Sequence, residues 1–319
     1  MPTFKELGEQ GFLDRVGQWT SIRNPRVITG IGDDALVLHN GIVVSSDSYA
    51  NNLHFSTLYF SPEDIGYKSA GASISDLAAM GAEPICLLVN LFVPPDFDLT
   101  FLKRVYEGME AVCAPLKCEI AGGDTVASDN LILSLTAIGE AKRPFLRSGA
   151  VPGDLLYLSG FPGLSTVGQR LLAMRRKLDG FSDAIERHLR PEPRVDLGIK
   201  LRAKVSACMD VSDGISTDAC RLARSSAVKL IVEHTLLPKH PDLISYIERF
   251  GENWDSLVLN GGEDYELLFT AKASTKLPSE MASLSIHRIG RIEKGHGAFL
   301  EINGELKPLH PRGWDHFSV

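Results

Sequence analysis

The sequence predicts two units of mixed α and β structure, an α+β sandwich followed by an α/β unit. Three observations carry that expectation. The chain has 319 residues, enough for two domains of ordinary size. Strand-like apolar runs and helix-like stretches are interspersed along it. Near its middle, Arg143–Gly153 reads Arg-Pro-Phe-Leu-Arg-Ser-Gly-Ala-Val-Pro-Gly, a loop composition that sets residues 1–142 apart from 143–319.

In the first unit, Gly41–Ser45, Pro84–Val93 and Leu131–Ile138 read as strands. Ser61-Pro62-Glu63-Asp64 opens a helix, with serine as N-cap and proline at the first helical position. Leu99–Cys113 is a second helix. In the second unit, a strand over Asp154–Ser159 turns through Gly160-Phe161-Pro162-Gly163 into a helix over Ser165–Lys177. Further on, the apolar run Val205–Met209 precedes a helical run over Ile215–Ser225.

Composition excludes several classes. A hydrophobic fraction of 44% and a charged fraction of 23% are those of a globular protein, and the net charge of −7 disfavours a nucleic-acid binder. The start of the chain carries Glu6 and Glu9 and lacks the apolar core of a signal peptide. The most apolar stretch, Ile85–Val93, is far too short to span a bilayer. Five cysteines without a C-x-x-C pair read as reduced residues of a cytoplasmic protein.

The chemistry lies in short polar segments rich in aspartate. Gly32-Asp33-Asp34 precedes a short strand at Ala35–Leu38, and Ser45-Ser46-Asp47 ends the strand Ile42–Val44. Two adjacent antiparallel strands would bring these carboxylates to one end of a sheet, although both motifs are also ordinary turn formers. Asp76 is the only charged residue between Ser69 and Ala82, on a helix without a clear solvent face. It shares a ridge with Ile65 and Ala72, and needs a partner that is either a cation or a lysine.

Gly122-Gly123-Asp124 follows the strand Cys118–Ile120 and offers close backbone approach to a phosphate, or a plain turn. In Asp210-Val211-Ser212-Asp213-Gly214, Ser212 or Asp213 can cap the following helix, which leaves Asp210 unexplained. Gly261-Gly262-Glu263-Asp264 adds two further acids beside flexible backbone. His54, seven residues after Asp47, is of interest only for its neighbourhood, and Arg147 is either a phosphate clamp or a surface arginine.

Scattered carboxylates suit Mg²⁺, which takes oxygen ligands and keeps several waters. Several such ions point to polyphosphate, hence to metal-dependent phosphoryl transfer. Neither a G-x-x-x-x-G-K-[ST] loop nor an H-R-D and D-F-G pair occurs, so the chain is neither a P-loop NTPase nor a protein kinase.

Glu6-Leu7-Gly8-Glu9, Gly30-Ile31-Gly32-Asp33-Asp34, Ser75-Asp76-Leu77-Ala78-Ala79-Met80-Gly81, Gly122-Gly123-Asp124, Met209-Asp210-Val211-Ser212-Asp213-Gly214, Gly262-Glu263-Asp264-Tyr265-Glu266 and Gly313-Trp314-Asp315-His316-Phe317 occur in that order. The ordered set resembles the thiamine-monophosphate kinases of the aminoimidazole ribonucleotide synthetase-like superfamily. The resemblance implies an N-terminal α+β domain whose sheet pairs into a barrel across a homodimer, and a C-terminal α/β domain. It implies ATP-dependent phosphorylation of thiamine monophosphate to thiamine diphosphate.

Asp34, Ser46, Asp47, Asp76, Asp124, Asp210 and Asp213 would then hold Mg²⁺. Tyr106, Gly123, Asp124, Arg147 and Ser212 would contact ATP. His54, Glu263, Trp314 and Phe317 would hold the thiamine moiety. No general base is expected. The chain departs from the family in Ser45-Ser46-Asp47, where Thr-Thr-Asp is common, and a hydroxyl is retained. The alternatives are a sister synthetase or a non-catalytic cation-binding protein. A selenophosphate synthetase would need a reactive cysteine in an early glycine-rich segment, and no cysteine precedes Cys86.

Overall fold

The computed structural model of the protein describes residues 3–175 and 179–316. Its first sheet is built from β1 (Val27–Thr29), β2 (Leu36–Leu38), β3 (Ile42–Ala50), β4 (Glu83–Val93), β5 (Glu119–Ala127) and β6 (Ile132–Glu140). The strand order is β1-β2-β3-β6-β4-β5, and only β4 and β5 run parallel. Three helices belong to this part: α1 (Phe4–Trp19), α2 (Pro62–Ala79) and α3 (Leu99–Cys113).

The helices of the second part are α4 (Leu164–Ala173), α5 (Ser182–Leu189), α6 (Val195–Leu201), α7 (Ile215–Ser225), α8 (Pro241–Phe250) and α9 (Trp254–Val258). Its strands are β7 (Asp154–Ser159), β8 (Ala207–Asp210), β9 (Lys229–Glu233), β10 (Leu267–Lys272), β11 (Glu280–Met281), β12 (Leu284–Glu293), β13 (Gly297–Ile302) and β14 (Glu305–Pro308). They form a sheet of order β14-β13-β9-β12-β7-β10-β8, with β11 beside β12. All of its pairings are antiparallel except β9 with β13.

Helix α2 is the central element. Ser61 and Asp64 exchange hydrogen bonds in a capping box, with Pro62 at the first helical position, as the sequence predicts. The helix is buried on nearly every side, which agrees with its composition of Ala, Gly, Ser and Ile. It meets β3 and β6 of the first sheet, α3, and β8 of the second sheet. The approach of α3 needs two glycines: a Cβ on Gly66 would lie 1.8 Å from the Val105 carbonyl, and one on Gly108 2.0 Å from that of Glu63.

Two strands run further than the sequence predicts. Ser45, Ser46 and Asp47 do not end a strand. β6 offers β3 an unbroken ladder from Ile42↔Glu140 to Ala50↔Ile132, so these polar residues stay extended in mid-strand. Likewise β5 continues through Gly122 and Gly123 rather than ending at Ile120. Gly123 has φ +141, and a Cβ there would lie 1.9 Å from the Val89 carbonyl, so only glycine fits beside β4. The predicted helix over Ser165–Lys177 spans Leu164–Ala173, and residues 176–178 lie outside the described residues.

Candidate active site

Strand parity decides which polar side chains of β3 serve a common site. Val43, Ser45, Asp47 and Tyr49 alternate toward α2, whereas Val44, Ser46 and Ser48 point to the opposite face of the sheet. The Ser45 hydroxyl donates to the Asp76 carboxylate on α2. One residue earlier on α2, Ser75 donates to Asp210 Oδ2 at 2.6 Å, at the end of β8. Asp34 completes the set from the segment between β1 and β2. One carboxylate oxygen each of Asp34, Asp76 and Asp210 lies within 4.8 Å of the others.

These residues form part of the wall of a cleft of about 1620 Å³. Asp47, Ser46, His54, Arg147, Ser212, Asp213, Glu263 and Trp314 also line it. The site therefore brings together most of the residues expected from the sequence, drawn from both sheets. Ser46 contributes differently from Asp47, since its hydroxyl lies 3.2 Å from that of Thr136 on the outer face of the sheet.

Tyr106, Gly123 and Asp124 are not among the cleft-lining residues. Asp47 and Gly123 share one rung of the sheet through Leu135 and Val89, three strand spacings or roughly 14 Å apart. Asp124 pairs with Asn90 on the outer face, and Tyr106 packs on α3 against the core. Phe317 lies outside the described residues.

The acids are held under electrostatic stress. Burial, and then the charges of Asp47, Asp210 and Asp34, pushes the Asp76 carboxyl well above its ordinary range. Burial, followed by Asp34, does the same to Asp210, against the opposing hydrogen bond from Ser75. Burial raises Asp47 to about 6, although hydrogen bonds to Asp76 and Tyr49 oppose it. Asp33 is likewise raised to about 6 by burial and by Asp34. Its carboxylate accepts the backbone N–H of Arg147 at 3.2 Å, and the Arg147 guanidinium reaches Asp34 Oδ1 at 2.5 Å.

Asp34 Oδ2 is buried and has no hydrogen-bond partner among the described residues. Three clustered carboxylates, an oxygen without a donor and ligand atoms of oxygen alone fit a hard divalent cation.

The second wall of the cleft is held by backbone. Glu263 N–H donates to the Ser212 carbonyl at 2.7 Å and Tyr265 N–H to that of Val211 at 2.9 Å. Glu263 and Tyr265 both adopt left-handed backbone, at φ +62 and +51. Neither Ser212 nor Asp213 caps α7, because Gly214 occupies the N-cap position. The fully buried Asp218 instead accepts the N–H groups of Asp213 and Gly214, both at 3.1 Å. Arg221 then pairs with Asp213 at 2.5 Å.

His54 lines the cleft from the turn that follows β3. Its Nδ1 accepts the Ala50 N–H at 3.1 Å, and its ring stands 5.0 Å from that of His316. Burial, then His316 and Lys68, lowers its pKa to about 4, so the ring is neutral at pH 7 and presents an N–H at Nε2. Trp314 is held by its backbone N–H on the Asp213 carbonyl at 3.1 Å.

Asp33, Ser45 and Ser75 stand in motifs the sequence singles out but receive no role there, and Asp218, Arg221 and a buried lysine, Lys68, paired with Glu263 at 2.9 Å, are not singled out at all. For Ser45 the signal was strand parity. For Ser75 and Lys68 it was the same lack of a solvent face on α2 that singles out Asp76.

Residues 32–141 match the family of AIR synthase related proteins, N-terminal domain. Over 318 residues the chain is 35% identical to the thiamine-monophosphate kinase of Aquifex aeolicus (strain VF5), covering 98% of this chain and 99% of that relative. It is 35% identical to the enzyme of the same name from Bacillus subtilis (strain 168) over 316 residues, 93% of this chain and 96% of the other. Among solved structures, AaThiL complexed with AMPPCP and TMP is similar with a TM-score of 0.90 and 33% identity, covering 99% of both chains. The hydrogenase maturation protein HypE of E. coli, at 19% identity and a TM-score of 0.67, shares the fold.

Proposed function

Because the chain belongs to the thiamine-monophosphate kinase family, we propose that it transfers the terminal phosphoryl group of ATP to the phosphate of thiamine monophosphate. The products are thiamine diphosphate and ADP. The observation that carries this reading is the convergence of Asp34, Asp76 and Asp210 within 4.8 Å in a cleft that His54 and Glu263 also line. The complex of AaThiL with AMPPCP and TMP supports the choice of substrates.

The accepting oxygen belongs to a phosphate already ionised near neutral pH, so no general base is needed. The barrier is the meeting of two anions in line, which positioning and charge stabilisation must lower. Bound Mg²⁺ would supply that positive charge. Asp34, Asp76 and Asp210 are the core of its proposed ligand set, with Asp47 and Asp213 around them; Ser46, whose hydroxyl faces the other side of β3, would join through its backbone. Ser45 and Ser75 hold Asp76 and Asp210 in place. Arg147 and Ser212 face the nucleotide phosphates, and the Arg147 guanidinium is already anchored on Asp34. His54, Glu263 and Trp314 hold the organic part of the acceptor, and Phe317 is assigned to it by family position.

The remaining nucleotide contacts, Tyr106, Gly123 and Asp124, are proposed to come from a second copy of the chain. In support, β5 is an edge strand with nearly all of its residues exposed, and the outer face of the first sheet carries the half-buried Leu88, Phe92 and Ile132 without a covering helix among the described residues. In this reading residues 1–142 supply dimerisation and most metal ligands, and residues 143–319 close the site. No helix among the described residues is long and apolar enough to cross a membrane. The five cysteines are free, which supports a cytoplasmic enzyme.

Incubation of the purified protein with ATP, Mg²⁺ and thiamine monophosphate tests the reading, with free thiamine as control. Thiamine diphosphate from the monophosphate alone is the expected result. Its absence, with Mg²⁺-dependent ATP binding retained, would reassign the chain to a sister reaction.

A further inference from the structure

Lys68 is 1% exposed, in the middle of α2, among apolar and aromatic groups. Burying an ammonium is costly unless it is paired, and its partner here is a residue of the cleft wall. Its Nζ lies 2.9 Å from Glu263 Oε2 and 5.4 Å from the centre of the Phe60 ring. His188 Nδ1, also almost fully buried, stands 3.6 Å from the same oxygen and 3.2 Å from the Ser165 hydroxyl. Phe60 in turn packs edge-on against His188, with ring centres 5.4 Å apart.

Glu263 is thus held twice. Its backbone, in a left-handed conformation that a residue with a side chain rarely adopts, is tied to Ser212. Its carboxylate is tied to Lys68 through Oε2. No hydrogen bond among the described residues engages Oε1, and the side chain remains 24% exposed, within the cleft. A glutamate free to rotate would spread its charge over many rotamers. One fixed from behind presents a single oxygen in a set direction.

We propose that Lys68, backed by His188, is a positioning residue that fixes the Glu263 carboxylate for recognition of the cationic ring of the phosphate acceptor. The inference rests on the reaction proposed above, and deepens it at the organic end of the cleft. The ammonium also balances Glu263, so the ring meets a carboxylate whose excess charge is small. Recognition then depends on the direction and distance of Oε1 more than on net attraction. Burial, and then Lys68, keeps the His188 imidazole well below its ordinary pKa; burial lowers Lys68 too, but Glu263 opposes that shift, so of the two described groups at Glu263 Oε2 it is Lys68 that carries the charge.

Helix α2 gives the arrangement a further consequence. Lys68, Ala72 and Asp76 follow one another at i, i+4 spacing along one ridge, and Ala72 and Asp76 line the cleft. The same rigid helix therefore sets the acceptor-binding carboxylate through Lys68 and the proposed metal ligands through Ser75 and Asp76. The distance between the two ends is fixed by helix geometry, at about 12 Å over eight residues.

A double-mutant cycle in steady-state kinetics tests this, using Lys68→Met, Glu263→Gln and both together in the full-length protein. Lys68→Met should raise KM for thiamine monophosphate by at least about tenfold, with KM for ATP and kcat changed by no more than about threefold. The double variant should match Glu263→Gln, because Lys68 acts through that carboxylate. If Glu263→Gln alone strands the ammonium and fails to fold, the double variant carries no unpaired charge there and takes its place: its KM for thiamine monophosphate should be raised at least as far as that of Lys68→Met, and a smaller rise would overturn the proposal.

Multiplicative effects of the two substitutions would overturn the proposal. A fall in kcat with both KM values rising together would do the same, since that pattern reports a merely structural role. Failure of the wild-type protein to phosphorylate thiamine monophosphate would overturn the assigned reaction and this inference with it. Turnover with an unchanged KM in Lys68→Met would overturn the inference alone.

Discussion

Ser75 Oγ donates to Asp210 Oδ2 at 2.6 Å, both residues buried, and this one hydrogen bond joins the central helix of the first sheet to the end of β8 in the second. It orients a proposed metal ligand from outside the ligand set. Changes to such supporting groups typically cost ten- to a hundredfold in metal affinity. Ser75→Ala is therefore expected to raise the Mg²⁺ concentration for half-maximal activity by about tenfold, with much of the rate recovered in excess Mg²⁺. A magnesium titration of the initial rate reads this directly. An unchanged half-saturation point would show that the bond is structural only.

Asp210 itself is expected to matter more. Asp210→Asn keeps the shape and the Ser75 contact but removes the charge, and should lower kcat at least about a hundredfold, as loss of a transition-state electrostatic group does. Near-normal turnover at saturating Mg²⁺ would remove Asp210 from the ligand set.

Chelation is expected to abolish turnover, with recovery on adding Mg²⁺. Ca²⁺, larger and tolerant of irregular coordination, should bind without restoring the rate. A protein that merely bound cations would turn over no ATP with either ion, so a coupled ADP assay separates the two cases.

Much of this site is legible in the sequence where one local rule decides. Asp76 stands out because a charge on a helix without a solvent face needs a partner, and the N-cap at Ser61 fixes where that helix starts. The same rule applied eight residues earlier finds Lys68, whose partner Glu263 lies 195 residues away and could not be named from spacing. Ser45 and Ser46 differ only in strand parity, and parity follows from the β3–β6 register, a pairing across some ninety residues. Asp124 follows two glycines that look like a turn. The parallel neighbour β4 draws them into a strand and carries Asp124 to the outer face. What the sequence conceals is consistently long-range pairing.

The stability of the fold at low pH should depend on one buried carboxylate. Glu266 Oε1 accepts from Arg194 at 2.7 Å and lies 3.0 Å from Arg187, while Oε2 accepts from Arg194 Nε at 3.0 Å and from the Ser159 hydroxyl at 2.5 Å. Burial alone would raise its pKa. The charges of Arg194 and then Arg187 outweigh it and hold the carboxyl down to about 2, against an ordinary value of 4.5. A carboxyl depressed on folding contributes stability that is fully present above pH 4.5 and lost as the pH falls through 2. The difference of about 2.5 pH units, at about 1.4 kcal/mol each, is worth about 3 kcal/mol. Glu266→Gln leaves two guanidinium groups beside a neutral amide, and should cost about 3–5 kcal/mol at neutral pH. Its loss between pH 4.5 and 2 should also be shallower than that of the wild-type protein by about 3 kcal/mol. Urea unfolding followed at a series of pH values gives both numbers, and parallel curves for the two proteins would show that Glu266 is not the group responsible.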